Sequence, residues 1–66
     1  MDQRDNYGSI IIDKHGNYEL AKDNINGYYV NLIIGKYPSG NAQREIVAKF
    51  TYKPYADLFF NALKNA

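Results

Sequence analysis

Hydrophobic and polar positions change period once along this chain. Before Pro54 the apolar residues alternate or form short β-branched runs, and after it they recur at helical spacing. Ile10-Ile11-Ile12 opens the first strand pattern. The stretch Asp13 to Asn17 follows, where Gly16 and Asn17 suit a tight turn. Tyr18-Glu19-Leu20-Ala21 alternates with Tyr18 and Leu20 on one face, so the two runs read as a hairpin. Asp23 to Gly27 is a second turn cluster, Tyr28 to Lys36 the longest strand pattern, and Pro38-Ser39-Gly40-Asn41 a third turn. Glu45 to Thr51 alternates again, with Ile46, Ala48 and Phe50 on one face and Glu45, Val47 and Lys49 on the other. Tyr55, Leu58, Phe59, Ala62 and Leu63 then fall at i, i+3, i+4, i+7 and i+8, the stripe of an amphipathic helix. Pro54 suits its first turn and Lys64 its C-terminal dipole. Thr51 or Lys53 occupies the cap position, and Thr51 has the better capping chemistry.

The pattern predicts one domain over 1–66, with a polar tail at about 1–6, strands over 9–13, 18–22, 28–36 and 44–52, and a helix over 54–65. The fold class is α+β: an antiparallel meander of three to four strands with one C-terminal helix on one face. The expected core is Ile10, Ile12, Leu20, Val30, Leu32, Ile34, Ile46, Ala48 and Phe50 beneath the helix stripe. The face shown by the first hairpin stays open, because a one-residue slip inverts it.

The strand Tyr28 to Tyr37 is apolar on both faces. Tyr28, Val30, Leu32 and Ile34 point one way, and Tyr29, Ile33 and Tyr37 the other. One helix covers one face of a sheet, so the second face calls for a partner, and a second copy of the chain is the simplest. Phe60 lies about 130° from the centre of the helix stripe at ~100° per residue. The expected interface is therefore Tyr29, Ile33, Tyr37, Val47 and Phe60.

Composition narrows the chemistry. A chain of 66 residues buries only about 60% of its unfolded surface. Cysteine is absent, so no disulfide or thiolate site staples it, and association is the remaining route to more burial. His15 is the only histidine; with Asp13 nearby it reads as a solvated turn, so no metal site, cofactor or catalytic residue is expected. The loop Lys36 to Asn41 lacks the spacing of a phosphate-binding loop. Net charge is +1, which argues mildly against nucleic acid as the partner. Lys36, Arg44, Lys49 and Lys53, with Tyr29 and Tyr37, could nevertheless form a basic, aromatic band for single strands. No secretory signal or membrane span is visible, so the expected location is cytoplasmic.

The layout resembles that of small proteins encoded by bacteriophages and prophages. The resemblance rests on the Ile11-Ile12-Asp13 strand, Tyr18-Glu19-Leu20, the strand Tyr28-Tyr29-Val30-Asn31, and Phe50-Thr51-Tyr52 leading into a helix that ends Ala62-Leu63-Lys64. It implies a single-purpose accessory protein in the host cytoplasm. Such a protein occupies a host protein surface, as anti-defence inhibitors do, and performs no chemistry. The strands-then-helix order is also similar to the second half of a double-stranded-RNA-binding domain, without that family's N-terminal helix or lysine-rich helix start. The expectation is a non-enzymatic binding protein of phage type acting as a homodimer, with nucleic-acid binding as the alternative.

Overall fold

The computed structural model describes residues 4, 5, 7–23, 25 and 27–66. Four strands and a helix follow in chain order: β1 (Ile10–His15), β2 (Tyr18–Asp23), β3 (Gly27–Lys36), β4 (Ala42–Phe50) and α1 (Lys53–Lys64). All neighbouring strands pair antiparallel in the order β1-β2-β3-β4, the expected meander. Gly16 takes φ +58° at the first of the two residues joining β1 to β2, where glycine is favoured in a tight hairpin. Of the expected polar tail, residues 1–3 and 6 lie outside the described residues. Asp5 departs from the expectation, being 8% exposed.

Leu20, Val30, Ala56 and Phe60 form the centre of the core, with Tyr18, Tyr28, Ala48, Phe50, Phe59 and Leu63 packed around it. The helix therefore sits on the predicted face of the sheet but is turned relative to the predicted stripe. Its apolar residues allow two stripes of identical spacing, Tyr55-Leu58-Phe59-Ala62 and Ala56-Phe59-Phe60-Leu63. The second one is used. Fully buried Ala56 lets the helix approach the strands closely, and Phe60 is 1% exposed between Leu20 and Val30. Tyr55 and Leu58, expected in the core, are 63% and 70% exposed.

Three register shifts explain the other departures. One residue is extra between Ile11 and Asp13, one between Ile46 and Ala48, and one between Ile33 and Gly35. Each puts an extra residue into one strand and shifts later residues to the opposite face. Ile12 and Ile34, expected in the core, stand at bulges and are exposed. Ile46 pairs with Asn31 and so joins the face opposite the helix. The helix N-cap is Tyr52, which makes no side-chain capping bond, so neither Thr51 nor Lys53 caps it. The Tyr52 carbonyl accepts from the amides of Tyr55 and Ala56 instead.

Candidate functional site

The sheet face opposite the helix is occupied by the chain itself. Arg4, Asp5 and Tyr7 to Ser9 lie across it, bridged to β1 through Arg4 and Ile10. The segment is held by an aspartate turn: the Asp5 Oδ1 atom accepts from the amides of Tyr7 (2.9 Å) and Ser9 (3.0 Å). Asp5 Oδ2 accepts from Tyr29 Oη (2.5 Å) and Asn31 Nδ2 (2.8 Å) on β3. The Tyr7 ring packs edge-on against Tyr29, with centroids 6.1 Å apart. Tyr29 is consequently 4% exposed.

Beside this knot lies an ion pair. Arg44 Nε donates to Glu19 Oε1 at 2.5 Å, and Lys14 Nζ stands 4.0 Å from the same carboxylate. The Glu19 side chain is 1% exposed and that of Arg44 12%. A buried carboxylate of this kind needs its cation, so Arg44 holds the fold together. The bond to Glu19 raises the Arg44 pKa against burial, which acts the other way. Burial opposes ionisation of Asp5, but its bonds from Tyr29, Asn31, Ser9 and Tyr7 outweigh that and lower its pKa. Burial first, and then the bond to Asp5, push the Tyr29 hydroxyl far above its usual 10.0.

The expected interface residues are thus separated. Tyr29 and Phe60 are interior, on opposite sides of the sheet. Ile33 is half-buried, its amide bonded to the Asn17 carbonyl. Tyr37 and Val47 remain exposed, the one at a turn and the other at the β4 bulge. The basic residues do not converge either. Arg44 is paired with Glu19, and Lys53 Nζ bonds Asp57 at 2.8 Å at the start of the helix. Lys36 and Lys49 stand exposed on β3 and β4.

What the fold exposes is the outer part of the unused helix stripe. Tyr55 and Leu58 are 63% and 70% exposed, with Ala62 exposed a turn further on and the N-cap residue Tyr52 58% exposed beside them. The Tyr52 and Tyr55 rings meet at 5.4 Å, forming one aromatic pad. The opposite flank of the helix is polar. There Lys64 Nζ bonds Asp13 of β1, and Lys53 and Asp57 border an open groove of about 420 Å³ floored by Leu20 and Tyr28.

Sequence reasoning found the helix stripe but placed it inward, and it missed Asp5, Glu19 and Asn31. Their one local signal is the Asp5-to-Ser9 spacing of an aspartate turn. The cross-chain bonds themselves leave no periodic trace.

Among the described residues, no group of three His, Cys, Asp or Glu side chains is placed to hold a metal ion. No described helix is long and apolar enough to cross a membrane. No family model matches this chain, and no curated protein or solved structure does.

Proposed function

We propose that this chain is a small binding protein that acts by contact and not by catalysis, and that it self-associates. One observation carries the reading: Tyr52 at the N-cap and Tyr55 and Leu58 on α1 stand largely exposed. Exposed side chains of this size present on the order of 400 Å² of mostly apolar surface, within the range of the largest, often functional, patch on a monomer. Tyrosine suits such a surface because it offers rigid apolar area with a hydroxyl at the rim. The wider reading, which rests on the resemblance of the sequence layout to small phage-encoded proteins, is that the assembled protein occupies a host protein surface.

Sedimentation over a micromolar to millimolar series tests the first step. The wild type is expected to shift from monomer to dimer, and Leu58→Asp to stay monomeric with an unchanged circular dichroism spectrum. A wild type that stays monomeric throughout overturns self-association.

A further inference from the structure

β4 is nine residues long and ends the sheet; among the described residues, β3 is its one strand partner. Among the described residues, the stretch Ile46 to Lys49 has no partner strand on its outer side, and its outward N–H and C=O groups form a template for another strand, while nearer the start of β4 the Arg44 carbonyl accepts from Tyr7 Oη at 3.4 Å. The other end of the sheet is less open, because β1 has six residues and the Arg4–Ile10 bridge lies against it.

We propose that two copies pair β4 against β4, antiparallel about a two-fold axis. The two four-stranded sheets then form one continuous sheet with both helices on the same face. This rests on the self-association proposed above and names its geometry.

The position of α1 selects this edge. The helix packs on β3 and β4 and leaves β1 largely uncovered. Neighbouring strands lie ~4.8 Å apart, so a helix above β3 or above the β3–β4 gap lies about 5–7 Å from the proposed axis. The two helix axes then come roughly 10–14 Å apart, against 8–10 Å for closely packed helices, and large side chains fill the remainder. Pairing through β1 would instead separate the helices by about 24–29 Å, too far for contact.

The facing flanks fit one another. Phe59 lies on the β4 side of α1, its ring 5.5 Å from Phe50. Tyr55 and Ala62 stand on either side of it at helical spacing, while Lys53, Asp57 and Lys64 lie on the far flank. Antiparallel helices centred near Leu58 and Phe59 set Tyr55 of one copy against Ala62 of the other, large against small. The helix dipoles are also antiparallel. The Val47 bulge and the Lys49 charge are features that discourage unrelated strands from adding to the edge. A second copy brings the helix contact that such strands lack, so the pairing is selective for this chain.

The experiment combines three readouts on the full chain. Hydrogen exchange of the β4 amides is compared between concentrated and dilute protein, and at least about tenfold slowing of the outward-facing amides is expected on dimerisation. Single cysteines at Glu45, Val47 and Lys49 are oxidised mildly, and at least one intermolecular disulfide is expected, favouring Val47 near the middle of the strand. Ala62→Arg is expected to weaken the dimer roughly tenfold through overpacking against Tyr55, with the melt of the dilute monomer unchanged. A wild-type dimer whose β4 amides exchange as in the monomer, with no disulfide at any position, overturns β4 pairing and leaves self-association standing. A wild type that never dimerises overturns both.

Discussion

Tyr29 Oη donates a 2.5 Å hydrogen bond to Asp5 Oδ2, tying the N-terminal segment to the middle of the sheet across 24 positions of sequence. That one bond closes the face which the strand pattern left open. The apolar alternation of β3 is satisfied from within the chain, by a short segment carrying a carboxylate and the Tyr7 ring.

Tyr29→Phe is expected to destabilise the monomer by about 1.5–3 kcal/mol, the range for a hydrogen bond to a charged group. The ring stays, so packing against Tyr7 survives, but the Asp5 carboxylate loses a partner while it remains buried. For a domain of this size the loss appears as a fall of roughly 6–24 °C in melting temperature. An unchanged melt would show that the hydroxyl contributes nothing to holding the segment down.

The same knot sets the pH dependence. The folded-state pKa of Asp5 lies below the ordinary 3.8, so its contribution is present above 3.8 and is lost as pH falls through the lower folded value. Tyr29 has the opposite sign: its pKa is raised, so its contribution is complete below 10.0 and fades as pH rises beyond that. Urea midpoints of wild type and Asp5→Asn, measured from neutral pH down to pH values below 3.8, should converge toward the acid end. Parallel curves would place the acid sensitivity elsewhere, with Asp13 the next group to test, since its bond from Lys64 also lowers its pKa.

Gly27 is held by the end of β4. It has φ +85°, and a Cβ added there would lie 2.6 Å from the Phe50 carbonyl oxygen. Gly27→Ala combines a left-handed backbone, which costs about 1–2 kcal/mol for an L residue, with a collision against backbone that has little room to move. The expected loss exceeds 2 kcal/mol by thermal or urea unfolding, on the order of that strain plus the collision. Gly16→Ala is the control, having a similar φ of +58° but nothing within 4 Å of the added carbon, and it should cost less.

The element order and the inward set Leu20, Val30, Ala48 and Phe50 were legible because they follow from local periodicity and turn chemistry. Ile12, Ile34 and Ile46 were misplaced because a bulge adds one residue without altering the apolar pattern. The aromatic stripe on the helix was legible as a stripe, but its orientation was not. Two stripes satisfied the same spacing, and the choice between them rests on the close approach at Ala56 and on polar partners such as Asp13 for Lys64. The knot at Asp5 was illegible for a different reason. A buried carboxylate has no periodic signature, and its partners Tyr29 and Asn31 lie 24 and 26 positions away.

The two helix stripes predict opposite behaviour for residues only two positions apart. Phe60 is 1% exposed at the centre of the core, and Phe60→Ala should cost about 3–5 kcal/mol by removing apolar contact and leaving a cavity. Small domains have roughly 5 kcal/mol of total stability, so this variant should be largely unfolded at physiological temperature. Leu58 is 70% exposed, and Leu58→Asp should change monomer stability by no more than about 0.5 kcal/mol, as substitutions at open surface positions do. The same change places a carboxylate beside the proposed helix contact, where desolvation opposes association. Circular dichroism melts should therefore separate the two variants at once, and sedimentation should then show Leu58→Asp folded and monomeric. If Leu58→Asp melts as early as Phe60→Ala, the outer stripe supports the monomer itself, and the exposed pad of Tyr52, Tyr55 and Leu58 loses its claim to be a contact surface.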